Sequence, residues 1–168
     1  MPQLPSGTVT FLFTDIEGST QLLEELGDAY QVALAEHRDR IRDSAARHGG
    51  TEVDTQGDAF FIAFARASDA VAAAVDAQNA LVAGPVRVRM GLHTGEPSVT
   101  AEGYVGIDVH RAARIGNAAN GEQIVISPAT RQLLDDGFEL RDLGEHRLKD
   151  FPAATRLFQV GQREFPPL

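Results

Sequence analysis

The chain has 168 residues, is 43% hydrophobic, lacks cysteine and carries a formal net charge of −9. That length can bury one core unaided, and the missing cysteine excludes disulfide frameworks, thiolate metal sites and cysteine nucleophiles. The acidic balance speaks against a nucleic-acid backbone binder, and the longest apolar run, Ala59–Ala65, is too short to cross a bilayer.

In chain order, Gly7–Thr14 is rich in β-branched and aromatic residues and predicts a buried strand, followed by a turn-like segment over Asp15–Thr20. Leu22, Leu23, Leu26, Tyr30, Leu34, Ile41 and Ala45 recur at helical spacing and predict one long helix that stops at Gly49-Gly50. Thr51–Gln56 and Ala59–Phe64 read as a hairpin reversing at Gly57-Asp58. A second helix, capped by Ser68 or Asp69, runs to Gly84-Pro85, and Val86, Val88, Met90 and Leu92 alternate as a half-buried strand. The order βαββαβ predicts an α+β, ferredoxin-like core, an antiparallel sheet with both helices on one face. After the glycine-punctuated stretch Thr94–Gly106 comes a C-terminal αβαββ decoration: a helix over Asp108–Ala118, a strand Gln123–Ile126, a short helix from Ser127-Pro128 and strands near Phe138–Arg147 and Thr155–Val160. One domain is expected over residues 7–161, with an N-terminal extension at 1–6 and a proline-containing tail or linker at 162–168. MPQLPSG has no secretory pattern, and the absence of cysteine fits a reducing compartment, so a cytoplasmic location is expected.

Three segments offer chemistry. In Phe13–Thr20 (FTDIEGST), Asp15 ends a buried strand directly before a small-residue turn and a helix, where backbone N–H groups and the helix dipole favour an anion and Asp15 offers oxygen to a hard cation. The same turn also reads as an ordinary cap by Ser19 or Thr20. Asp58 sits at the hairpin tip, which in a βαββ unit lies near the end of the first strand. Asp15 and Asp58 can therefore converge on two metal ions, although Asp58 also reads as a plain turn aspartate. In Gly106–Ile115, His110 and Arg114 are four residues apart on one helical face, so Arg114 can brace a phosphate or form a surface ion pair. No GxxxxGK[ST] loop, GxSxG elbow or HExxH helix is present.

Taken together, FTDIEGST at 13–20, EVDTQGD at 52–58, GLHTGE at 91–96, GYVGIDVHRAAR at 103–114 and GEHRLKDF at 144–151 resemble the class III adenylyl/guanylyl cyclases, from about Thr8 to Val160. The match is closest to an actinobacterial subgroup whose members often continue into ATPase and helix-turn-helix regulatory regions. The resemblance implies conversion of ATP or GTP to a 3′,5′-cyclic nucleotide and pyrophosphate with two Mg2+ or Mn2+ ions per site. It implies Asp15, Asp58 and the Ile16 carbonyl as metal ligands, Glu17, Gly18, Ser19 and Thr20 around the triphosphate, and Arg114 at the transition state. It also implies a homodimer, because the metal aspartates and that arginine come from opposite subunits.

The departures fall on recognition. The ribose-orienting asparagine of the family is His110 here, and the base-reading lysine is Asp54. The lysine count leaves no substitute for the latter, since Lys149 is the only one among fifteen basic residues. The partner aspartate for the base falls near Gly103, and Lys149 is an approximate stand-in for a triphosphate lysine. An acceptor at position 54 faces adenine N1 badly and guanine N1–H well, which implies a tilt toward GTP. These losses leave a second expectation open: a cyclase-homology domain that dimerises or senses nucleotide without turnover.

Overall fold

The computed structural model describes residues 4–168; Met1 to Gln3 of the expected N-terminal extension lie outside the described residues. Fourteen elements follow in order: β1 Val9–Ile16, α1 Ser19–Leu26, α2 Ala29–Arg47, β2 Thr51–Gln56, β3 Ala59–Phe64, α3 Ala67–Leu81, β4 Val88–Gly95, β5 Ser98–Thr100, β6 Gly103–Val105, α4 Ile107–Ala118, β7 Ile124–Ile126, α5 Pro128–Gln132, β8 Leu140–Arg147 and β9 Ala154–Val160. A seven-stranded sheet has the order β2-β3-β1-β4-β7-β9-β8, and β5 and β6 form a separate two-stranded ribbon.

The βαββαβ core and the αβαββ decoration follow the sequence pattern, with two corrections. The sheet is mixed: β4 and β7 are parallel, because α4 carries the chain across before β7 enters. The single long helix is two. Gly27, at φ 55°, ends α1 with its N–H donating to the Leu23 carbonyl, and α2 restarts after Asp28. The helical spacing ran through the break because Leu22 and Leu26 pack partly against the core although α1 buries nothing fully.

Strand alternation divides the sheet's two faces. Leu12 and Ile16 of β1, Phe60, Ile62 and Phe64 of β3, and Val88, Met90 and Leu92 of β4 meet Ala33, Ile41 and Ala45 of α2 and the alanine-rich face of α3 in the largest core. The opposite face carries Val9 and Phe11 against Ala63 and Ala112, with Val53, Phe61, Tyr104 and Val109 only partly covered. Here α4 lies tight on the sheet. A Cβ at Gly91 would overlap the Gly116 backbone, and one at Gly116 would run into the Phe13 ring, so two glycines set how closely α4 approaches β1 and β4.

The cap of α3 also differs from expectation. Arg66 stands at the N-cap without a side-chain bond, while the Ser68 hydroxyl accepts from the Asp135 amide and ties α3 to the segment after α5. Ser127 does cap α5, accepting from the Thr130 amide. The terminal segment lies on the domain: the Pro166 carbonyl accepts from Asn120, the Arg163 carbonyl from Gln159, and Leu168 packs against the small buried cluster that includes Ile115, Val125 and Leu157.

Candidate active site

Asp15 is on β1's α4-facing side and pairs in register with Arg89 of β4. Arg89 Nε donates to one Asp15 oxygen at 2.7 Å and an Nη to the other at 2.5 Å. Burial outweighs the lowering by Arg89 and, helped by the nearby Asp58 charge, raises the Asp15 carboxyl above its ordinary range. Asp58 comes to the same place: its Oδ2 accepts from the Ile16 amide at 3.3 Å. Gly57, at φ 60°, makes the hairpin reversal, and Arg38 of α2 donates to its carbonyl at 2.6 Å, pinning the tip. The expected convergence of the two aspartates is thus present in the geometry.

The following turn is built from backbone. The Glu17 amide donates to the Arg87 carbonyl at 2.8 Å, and Gly18, at φ 64°, is the N-cap of α1. Ser19 and Thr20 do not cap the helix, which corrects the plain-cap reading; glycine takes that place because the chain needs a left-handed residue there. The first intrahelical bond runs from Leu22 to Gly18, so the Ser19, Thr20 and Gln21 amides stand before it, at the positive end of the helix dipole.

A second group of residues lines an open cleft of about 710 Å³ on the α4 side of the sheet: Asp54, Gln56, Phe61, Glu102, Tyr104 and His110 among them. Asp54 follows a register irregularity in β2. It accepts from the Thr55 amide and from Gln56 Nε2, both at 2.9 Å, so both of its oxygens already hold a donor. Gly103 does not line the cleft; its neighbours Glu102 and Tyr104 do, so Glu102 is an acidic group on the same cleft as Asp54. The Tyr104 hydroxyl, whose pKa burial pushes up to about 12, donates to the Pro5 carbonyl.

A third group surrounds Arg114. Its Nη donates to Asp150 at 2.7 Å, while its buried Nε has no partner. Asp150 lies at φ 69° in the turn Leu148–Phe151, beside Lys149, and the Phe151 ring of the same turn sits 4.5 Å beneath the Arg111 guanidinium. The charges acting on Asp15 are those of Arg89 and Asp58, whereas Arg114 is paired with Asp150. One chain therefore gathers Asp15, Ile16, Asp58 and the 17–20 turn in one place, Asp54 and His110 in a second, and Arg114 and Lys149 in a third.

The GLHTGE segment supports α4. His93 Nε2 faces Asp108 at 2.7 Å and Nδ1 faces the Ser127 hydroxyl at 2.7 Å. A carboxylate accepts only, so Nε2 carries the proton and Nδ1 accepts from Ser127. Burial holds the His93 pKa below its ordinary value against the pull of Asp108. Gly95 makes room, since a Cβ there would overlap the Asp108 carboxylate.

The model of the adenylate and guanylate cyclase catalytic domain matches residues 1–161. The chain belongs to this cyclase family. An uncharacterized Mycobacterium tuberculosis protein is 38% identical over 174 residues, covering 98% of this chain and 61% of that protein. The chain thus spans about three fifths of that relative's length. An adenylate cyclase of Podospora anserina is 30% identical over 86% of this chain and 10% of its own length. Among solved structures, an adenylate cyclase of Trypanosoma brucei superposes with a TM-score of 0.85 at 28% identity, covering 95% of this chain and 91% of that one. The adenylyl cyclase CyaB of P. aeruginosa gives 0.84 at 26%, covering 94% and 95%.

Within this cyclase domain, the sequence missed Arg89, Glu102 and Asp150. The pairing of Arg89 with Asp15 depends on the β1–β4 register, which strand alternation alone does not give. No described helix is long and apolar enough to cross a membrane.

Proposed function

We propose that the domain is a nucleotidyl cyclase that converts GTP in preference to ATP into the 3′,5′-cyclic nucleotide, releasing pyrophosphate, in a homodimer with its sites between the copies. The observation that carries this reading is the meeting of Asp15 and Asp58 beside a backbone turn whose amides precede the first bond of α1.

The donor set suits a hard divalent ion. Two carboxylates and the Ile16 carbonyl are all oxygen, and no group of three or more metal-binding side chains is present among the described residues. Mg2+ and Mn2+ sites of this kind are completed by substrate phosphates and water. Such ions, when bound, would activate the ribose 3′-OH and neutralise charge on the departing pyrophosphate. The Ser19, Thr20 and Gln21 amides would hold the β- and γ-phosphates. Arg114 of a second copy would stabilise charge on the α-phosphoryl group as the O3′–P bond forms and the bond to the β-phosphate oxygen breaks. Lys149, beside Asp150, would add charge to the triphosphate end.

Asp54 and His110 share the cleft that would receive the base and ribose. A carboxylate opposite adenine N1 sets acceptor against acceptor, a loss of about 1–3 kcal/mol, while guanine N1–H and N2–H donate to it. His110 would contact the ribose in place of the family's asparagine. A dimer is supported by the β5–β6 ribbon, a two-stranded unit that rarely stands alone, where Val105 and neighbouring Ile107 are 58% and 61% exposed. A cytoplasmic location suits a cysteine-free domain acting on nucleoside triphosphates. We also propose that the longer relatives carry regulatory regions that such a domain serves.

The second reading is a cyclase-homology domain that binds nucleotide without turnover, favoured by the donors already occupying both Asp54 oxygens. The two separate in one assay: purified protein with GTP or ATP and Mn2+, followed for cyclic product beside Asp15→Ala. Product from GTP that vanishes in the variant supports catalysis. Nucleotide binding by calorimetry with no product supports the second reading, and ATP bound as tightly as GTP removes the assigned preference.

A further inference from the structure

We infer, given the roles proposed for His110 and Arg114, that His93 and Asp108 are positioning residues for the reaction: they anchor the start of α4 and so fix the depth and rotation at which that helix presents the two groups.

Asp108 lies four residues before Ala112 and eight before Gly116, so the three share the stripe of α4 turned to the sheet, where Ala112, Ile115 and Gly116 are buried. At its far end the helix is held by close backbone contact, Gly116 lying against Gly91 and the Phe13 ring. At its near end no side chain caps it: Gly106 stands at the N-cap, and Val109 is only partly covered beside the open cleft. A helix held at one end can swing and roll about that contact. What holds the near end is a directed polar pair. Asp108 Oδ1 accepts from His93 Nε2 at 2.7 Å, and its other oxygen occupies the space that a Cβ on residue 95 would need.

The His93 side chain is 8% exposed and that of Asp108 30%, so the pair costs desolvation that an apolar contact in the same stripe would avoid. A hydrogen bond, unlike an apolar contact, is satisfied over a narrow range of distance and angle. His110 and Arg114 lie between this anchor and the glycine contact. The His93 ring is held from its other side as well. Its Nδ1 accepts from Ser127 at 2.7 Å, and the buried hydroxyls continue in series from Ser127 to Thr130 at 3.4 Å, Thr94 at 3.0 Å and Thr10 at 2.8 Å. Thr10 belongs to β1, the strand that carries Asp15. The chain of bonds therefore refers the start of α4 to the strand of the proposed metal ligand.

The test uses the whole chain and two readouts: steady-state kinetics with GTP and Mn2+, and amide hydrogen exchange without nucleotide. Asp108→Ala is expected to lower kcat about 10–100-fold while KM moves less than about threefold, because the 17–20 turn is proposed to hold the substrate and Arg114 to act at the transition state. Exchange at Val109–Arg111 should quicken about tenfold, with α3 unchanged. Conservative changes separate positioning from bulk stability. His93→Gln reaches the Nε2 position and keeps the donor to Asp108, and Asp108→Asn keeps the acceptor; both should retain at least about a third of kcat. His93→Asn is too short for Asp108 and should fall with Asp108→Ala; set against His93→Gln, it carries the same contrast should Asp108→Ala fail to fold. If Asp108→Ala keeps the wild-type kcat, if His93→Gln is as poor as His93→Asn, or if kcat falls only in step with the folded fraction, the positioning role is overturned and the cyclase reading stands. A wild type that makes no cyclic product removes the cyclase reading and the positioning role with it, and the exchange contrast then reports a structural anchor alone.

Discussion

The two faces of the sheet are built for different ends. Toward α2 and α3, Phe60, Ile62, Met90 and Leu92 are at most 1% exposed and meet a dry layer of alanine, leucine and isoleucine. Toward α4, Val53, Phe61 and Val109 are only half covered, and Asp54 and His110 look into an open cleft. The first face supplies the apolar burial that folds the domain. The second has polar groups and unfinished apolar cover, which suits a surface that meets nucleotide and another copy.

Substitution should expose that division. Phe60→Ala on the dry face is expected to lower unfolding free energy by about 3–5 kcal/mol in urea. Phe61→Ala, its neighbour on the other face, should cost roughly a third as much and instead weaken self-association in sedimentation velocity. Equal losses for the two would erase the contrast.

His37 is the titratable group buried on the dry face. It is 1% exposed, both ring nitrogens lack partners, and the Leu34 carbonyl near it is not in bonding geometry. Burial lowers its pKa to about 4, against the favourable pulls of the Leu34 carbonyl and Asp58. The folded state therefore binds fewer protons than the unfolded chain once pH falls below the ordinary histidine value. Its stability contribution is complete above about pH 6.5 and is lost as pH drops through about 4, on the order of 2–3 kcal/mol. His37→Leu should flatten that part of the pH–stability curve relative to wild type, and an unchanged slope would show that other groups produce it.

Where the second face is closed, it is closed by glycine. Gly91→Ala is expected to cost about 1–3 kcal/mol by pushing α4 from β4, and to shift amide exchange in α4 more than in α3. The smallest effect is expected at the rim. Asp150→Ala removes the partner of Arg114, but Asp150 is 61% exposed, so thermal stability should fall by less than about 1 kcal/mol. A larger fall would show that the Arg114–Asp150 pair, and not only the buried Leu148 and Phe151, holds the 148–151 turn in place.

The same division explains what the sequence reveals. Strand alternation and helical spacing report burial, so the βαββαβ order, the hairpin at Gly57-Asp58 and the helix bearing His110 and Arg114 were all readable. The break at Gly27 was hidden because leucines continued the spacing on both sides of it. Motif order placed Asp15, Asp58 and Asp54. Arg89 and Asp150 lie 74 and 36 residues from their partners, and pairings across such spans are fixed by register and turn geometry rather than by local pattern. The resemblance puts the family's base-reading aspartate near Gly103, but a residue without a side chain offers nothing to the cleft, whose lining includes Glu102 instead.

The central claim, that the half-covered face completes its site with a second copy, is tested most directly by mixing two defective proteins. Asp15→Ala and Arg114→Ala should each be almost inactive with GTP and Mn2+. After the two are unfolded and refolded together, half of the dimers are mixed and each has one intact site, so about a quarter of wild-type activity should return. A mixture as inactive as its parents, beside an active wild type, would contradict the shared site.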